Sequence, residues 1–358
     1  MCHGDVLAQE QSYRFSPSNQ VSAYFTSQSY SDILPIKQLV EDEWRTQPKH
    51  DADLAFSQSE LGSEVIINNW SINPAYRVDY FVDTNPDTAY AFYADRASLP
   101  ADSQRTYDLA LSLQESHAKG LRLGYQWQNE DFFSHIKLGY WAITETRDST
   151  LRGVLSQNSE SELQGSGQLT EHYTDNNFLK RPNVNGERWN NSGTGYTLDI
   201  TLAWQVTSKL MLRLDAQDLY SRFTLDDAGF SDGVVDTDNQ YTRASGITGF
   251  KPLYSGIETS ASYEYRLPKR VNVEAVYQFD GMALHSQLNY IGNQSFYLLG
   301  VSASVTEESR VTLLVDVERA TPHIVLDTKW VDLTLALDKL KTQSAYQFTL
   351  GVRLNYPF

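Results

Sequence analysis

Long runs in which every second residue is apolar constrain this chain more than any other feature. In residues 195–206, Tyr196, Leu198, Ile200, Leu202, Trp204 and Val206 alternate with Thr197, Asp199, Thr201, Ala203 and Gln205. In residues 345–358, Tyr346, Phe348, Leu350, Val352, Leu354, Tyr356 and Phe358 alternate with Gln347, Thr349, Gly351, Arg353, Asn355 and Pro357. A period of two places successive side chains on opposite faces of a β-strand. The same pattern runs through Leu121 to Trp127, Val271 to Phe279, Val311 to Val317 and Val331 to Leu337.

Read along the chain, the pattern predicts an all-β protein of about fourteen strands, near 53–68, 70–83, 104–116, 119–129, 132–146, 194–206, 209–221, 254–267, 269–279, 282–292, 294–305, 308–319, 323–339 and 344–357. Twelve is the alternative, because the first two are weakly patterned. In 132–146, Trp141 and Ile143 fall on the wrong side. Short helices are expected near 31–44 and 85–97.

Most of these strands exceed nine residues, whereas strands of soluble proteins cluster at ~5–6 and a tilted membrane-crossing strand needs ~9–11. Aromatic residues close the apolar rows, as membrane interfaces favour. No run reaches the ~18 apolar residues of a spanning helix. The expectation is therefore a single transmembrane antiparallel β-barrel over 52–358, whose last strand pairs with the one at 53–68 to leave no open edge in lipid. Small turns at 130–131, 207–208, 268, 293 and 320–322 then share the periplasmic end, and the long insertions 147–193 and 222–253 lie outside. The long connection 84–103 breaks the rule.

Thr349, Gly351, Leu354 and Tyr356, followed by Phe358, resemble the C-terminal β-signal of bacterial outer-membrane β-barrel proteins, with Pro357 a small departure. The resemblance implies an outer-membrane location, contact with lipid and lipopolysaccharide, and recognition of the last strand by the barrel-assembly machinery. At the other end, Val6 and Ala8 have the spacing of a signal-peptidase site. Residues 1–8 are read as a signal-peptide remnant and 9–51 as a periplasmic or lumen-plug segment ahead of the barrel.

The face opposite the apolar rows collects the candidate lumen residues Asp108, Arg122, Lys137, Glu145, Asp199, Arg213, Asp215, Glu258, Glu264, Arg266, Glu274, Asp316, Glu318, Asp332 and Arg353. Acids outnumber bases there, so an open lumen favours cations or neutral solutes; alternatively the mixed signs pair and fill the interior. The whole chain carries a formal charge of −16, with 45 acidic against 29 basic residues, which argues against nucleic acid as a partner. Cys2 is the sole cysteine, which rules out an internal disulfide or a thiolate metal cluster.

Asp226, Asp227, Asp232, Asp236 and Asp238 crowd the 222–253 insertion without the ligand spacing of a calcium loop, so no metal and no cofactor are expected. Of the strand-borne Ser and His neighbours, His285 with Ser286 and His135 with Ser134 point to opposite faces. No GxSxG or HExxH motif occurs, and no catalytic residue is assigned. Three readings follow: a channel or transporter for small solutes; a structural or assembly component of an envelope export or surface-attachment system, with an unidentified partner and a plugged lumen; and an outer-membrane hydrolase, least supported.

Overall fold

A computed structural model describes residues 19–97, 105–157, 163–175, 193–236, 240–242, 248–250, 254–306 and 308–358. The strands are β1 (Gln20–Ser31), β2 (Leu54–Ile67), β3 (Trp70–Thr84), β4 (Thr106–Gln128), β5 (Phe132–Gln157), β6 (Leu163–Tyr173), β7 (Gly193–Gln205), β8 (Leu210–Asp236), β9 (Gln240–Thr242), β10 (Thr248–Phe250), β11 (Tyr254–Tyr265), β12 (Arg270–Phe279), β13 (Met282–Ile291), β14 (Gln294–Thr306), β15 (Ser309–Asp316), β16 (Pro322–Thr328), β17 (Val331–Leu337) and β18 (Gln347–Pro357), and most of them coincide with segments that alternate in sequence. Helices α1 (Ile36–Val40) and α2 (Pro86–Arg96) lie in the connections after β1 and β3.

Fourteen antiparallel strands close a ring in the order β1, β2, β3, β4, β5, β7, β8, β12, β13, β14, β15, β16, β17, β18 and back to β1. The two further strands of this sheet, β6 and β11, lengthen it upward: β6 pairs with β5 and β8 above β7, and β11 pairs with β8 above β12. β9 and β10 form a separate ladder.

Side chains facing away from the ring form an apolar belt. Leu138, Leu212, Leu284, Leu299, Leu313, Leu335 and Leu354 are all exposed. Trp70, Tyr125, Trp127, Trp204, Trp330 and Tyr356 rim it toward one end, and Tyr76, Tyr140, Tyr196, Tyr220, Tyr290 and Tyr297 toward the other. So many exposed large apolar side chains between two aromatic rims require hydrocarbon outside them. The chain is a membrane-spanning β-barrel of the bacterial outer-membrane kind.

The connections sort by end. β2 to β3 turns through Asn68 and Asn69, both at positive φ, which suits the primed turns that match strand twist. The links at 129–131, 206–209, 280–281 and 329–330, and the step from β14 to β15, share that end and are equally short. The connections that carry α1 and α2 fall at the opposite end. Asn85 caps α2 by accepting from the Thr88 amide at 2.8 Å, Pro86 follows it, and Ala89 packs on Ala55, Val82 and Leu113 outside the raised wall.

Several expectations are corrected. The strands expected at 104–116 and 119–129 are one strand, β4, not two, and this removes the parity violation: the connection that carries α2 lies at the long-loop end, and the links at 268, 293 and 320–322 do as well. Residues 323–339 form two strands joined at Lys329 and Trp330. Residues 20–31 of the expected N-terminal segment are a wall strand, and β18 closes on it rather than on 53–68. Much of the 147–193 and 222–253 insertions is strand in β5, β6, β8, β9 and β10. The proposed signal remnant, residues 1–8, lies outside the described residues.

Candidate functional site in the barrel interior

The inward rows of β2 and β3 carry Gln58, Glu60 and Glu64 beside Ser71, Asn73, Arg77, Asp79 and Phe81. Across β4 the same face continues as Arg122, across β5 as His135, Lys137 and Trp141, and across β7 as Thr197 and Asp199. Trp141 is therefore on the correct side for an interior residue. A one-residue bulge follows it where Ala118 pairs with Ile143 and His117 with Glu145, and the bulge moves Glu145 to the outer face.

These residues link around and across the lumen. The Arg77 guanidinium donates to both carboxylate oxygens of Asp218 at 2.8 Å and to Asp79 at 2.7 and 3.0 Å, while Arg270 donates to Asp218 at 3.0 Å. Asp218 sits in an irregular step of β8, at φ 52°, that breaks the register between Leu198 and Ile200. Arg122 donates to Glu60 at 2.8 Å and Asn73 at 2.7 Å and lies 3.1 Å from Asp199. Trp141 is stacked within 5.2 Å of the Arg77 guanidinium and 4.8 Å of the Arg122 guanidinium, and its ring N–H donates to Thr197 at 2.9 Å. Gly120 is needed beneath it: a Cβ there would meet the indole at 2.5 Å.

Nearer the short-turn end, Glu64 joins Lys137 at 2.6 Å and Arg353 at 3.3 Å. The β2–β3 ladder is interrupted where Pro74 has no N–H to give, and Asn73 there donates to the Ser63 carbonyl at 2.6 Å. Toward the long-loop end the interior becomes apolar. Tyr30, Phe56 and Phe81 from β1 to β3 meet Ile291, Phe296, Leu298 and Leu314 from β13 to β15. The Phe296 ring centroid is 5.2 Å from Tyr30 and 6.1 Å from Phe56, both edge-on. Arg319, in the turn after β15, lies 4.4 Å from the Phe296 ring centroid and 5.0 Å from that of Tyr30.

Arg77 is 2% exposed, Asp218 1%, Phe56 2% and Phe296 1%. Buried charges and rings at the heart of the ring mean that wall side chains fill the lumen there. Closer to the short turns Arg213 and Arg353 are more open, and Arg213 pairs with Asp215 at 2.7 Å. That end forms a polar vestibule.

Of the sequence-derived lumen candidates, Arg122, Lys137, Asp199, Arg213, Asp215, Glu274, Asp316, Asp332 and Arg353 face inward. Glu258, Glu264 and Arg266 do not. Glu264 pairs with Arg222 outside, Glu258 accepts from Tyr173 on the outer face, and Arg266 is exposed in the break between β11 and β12. The reason is that β11 stands above the belt, where the outer face meets water and Tyr263 and Tyr265 turn inward. Glu145, Glu318 and Asp108 also lie outside the lumen proper: Glu145 beside His117, Glu318 in the turn after β15, and Asp108 beside α2. Of the assembly residues, Thr349 and Gly351 face inward, Leu354 and Tyr356 outward, and Phe358 ends the chain with its amide on the Asn19 carbonyl at 3.3 Å.

Asp226, Asp227, Asp232 and Asp236 belong to β8, where Asp232 accepts from Thr170 at 2.7 Å; Asp238 lies outside the described residues. Among the described residues no group of three or more His, Cys, Asp or Glu side chains is placed to hold a metal. Sequence reading missed Glu60, Glu64, Arg77, Asp79, Asp218 and the aromatic seal. Arg77 and Asp79 stand two apart in a strand read as weakly patterned, and that spacing was the available signal.

No family model and no curated protein matches the chain. Among solved structures it is similar to the Pseudomonas putida toluene transporter TodX, at 9% identity and TM-score 0.41 over 96% of this chain and 91% of that one. It is also similar to a Pseudomonas aeruginosa FadL homologue, at 9% and 0.35 over 94% and 87%. The Escherichia coli outer membrane protease OmpT aligns at 11% and 0.21 over 98% and 100%.

Proposed function

We propose that this protein is a gated channel or transporter of the bacterial outer membrane, with its short turns in the periplasm, closed at rest by its own side chains. The observation that carries the reading is the contact of Phe56 with Phe296 between far sides of the ring. A standing water-filled pore leaves inward residues wet, and these are dry. The residues of the seal stand on wall strands and a turn, so rotamer changes and small wall movements can open it without breaking a ladder. Charge pairs below it offer a polar path once the ring is open. Recognition of β18 through Thr349, Gly351, Leu354, Tyr356 and Phe358, and contact of the belt with lipopolysaccharide, belong to the same proposal.

Planar-bilayer recording tests it. Wild type is expected to conduct rarely or not at all, and the Phe56→Ala, Phe296→Ala double variant to show long-lived openings. A folded, inserted double variant that stays silent would overturn the gate and leave the scaffold reading.

A further inference from the structure

Glu274 on β12, His285 on β13 and Ser302 on β14 stand on three adjacent strands, all turned inward. His285 Nδ1 lies 2.8 Å from Glu274 Oε1, and Nε2 lies 2.8 Å from Ser302 Oγ. The register explains this arrangement. His285 pairs with Gly300, whose missing side chain lets the ring lean diagonally to Ser302, which itself pairs with Ala283. A carboxylate on Nδ1 fixes the tautomer that leaves Nε2 free to accept the serine proton. His135 also has a serine partner, Ser71 at 2.8 Å, but among the described residues no carboxylate is hydrogen bonded to its ring. The triad sits just inside the short-turn mouth, because the β12–β13 hairpin closes where Phe279 pairs with Met282.

We propose that Ser302, His285 and Glu274 form a nucleophile, base and orienting carboxylate that hydrolyse short-chain carboxylic esters entering from the periplasmic vestibule. The inference is independent of the gate. Ser302 Oγ attacks the ester carbonyl carbon as His285 Nε2 takes its proton. The tetrahedral intermediate collapses, the C–O bond to the alcohol breaks, and His285 returns the proton to the leaving alcohol. Water, deprotonated by the same nitrogen, then releases the acid and restores Ser302. The apolar cluster of Met211, Val276 and Ala283 beside the triad suits a short acyl chain. The hydroxyl of Thr312, opposite Ser302 on β15, is assigned to the oxyanion. Ser302 is only 2% exposed, so the substrate must displace neighbouring side chains to reach it.

The test uses the full chain, folded in detergent and checked by heat-modifiable migration. A fluorophosphonate probe is expected to label Ser302, and p-nitrophenyl acetate to be hydrolysed. Ser302→Ala should abolish both, and His285→Asn should lower hydrolysis about 100-fold or more. Glu274, a positioning residue, should on change to Gln lower kcat about 100-fold with KM unchanged. Ser286→Ala, on the lipid face beside His285, should change nothing. The proposal is overturned if folded wild type is unlabelled, if labelling or hydrolysis survives Ser302→Ala, or if Glu274→Gln folds with kcat unchanged. Should the His or Glu variant fail to fold, Ser302→Ala, which deletes a single oxygen, decides alone.

Discussion

Arg77 holds two buried carboxylates at once, and the cost of removing it follows from what it leaves behind. In Arg77→Ala, Asp218 keeps Arg270, while buried Asp79 loses the cation it is paired with. Breaking such a set typically costs about 3–5 kcal/mol. Arg77→Lys should lose less, yet still fall below wild type, because an ammonium cannot make the two-pronged contact with Asp218. Urea unfolding in lipid vesicles, read by tryptophan fluorescence, measures both. Outside the membrane, Asp32 accepts from the Asp53 and Leu54 amides at 3.0 and 2.9 Å in the loop after β1. Burial is the main cause that pushes its carboxyl up to about 6. A raised folded value means that its contribution is complete below about pH 4 and is lost as pH rises through about 6. Protection of the Asp53 and Leu54 amides against hydrogen exchange, corrected for intrinsic rate, should therefore be higher at pH 4 than at pH 7.5. Equal protection at both would refute the assignment.

The elements show where alternation is a faithful guide and where physics hides it. Within the belt, lipid outside and polar lumen inside keep the rows apart, which is why β7, β12, β15 and β18 read cleanly from sequence. Above the belt both faces change partners. Glu115, His117 and Lys119 occupy the outward row of β4 where it leaves the membrane, so one strand looked like two. β1 was missed for a related reason: its outward row runs from Val21, Ala23 and Phe25 into Ser27 and Ser29, which bond to Ser59 and Ser57 on β2. The lumen charges were legible as a face, but their partners depend on bulges and long-range register that no periodicity reveals. Closure through β1 is testable by cross-linking in a Cys2→Ser background. Ser27 and Leu350 are cross-strand partners, so Ser27→Cys with Leu350→Cys should oxidise to a disulfide that shifts unfolded migration on a gel. Ser59 lies one strand further away, roughly 10 Å across two strand spacings, so Ser59→Cys with Leu350→Cys should stay reduced. The reverse outcome would restore the closure on 53–68.

For the molecule as a whole, one solvent boundary runs around the ring, and the cost of placing a charge on the outer face should map it by depth. Leu313 is half exposed on the outer face of β15, paired between Val301 and Ile324 in the middle of the belt. Val305 is more exposed and stands near the short-turn end of β14. If water surrounded the protein, Leu313→Arg would cost little and the more exposed Val305 would differ from it only slightly. If hydrocarbon surrounds it, depth decides instead of exposure: an arginine near the bilayer midplane costs about 2–4 kcal/mol, and one at the interface about 0–1. Urea titration of folding into phosphatidylcholine vesicles should therefore show Leu313→Arg clearly destabilised and Val305→Arg close to wild type. Two equal and small losses would place water, not lipid, against the apolar belt, and the outer-membrane reading would fall with it.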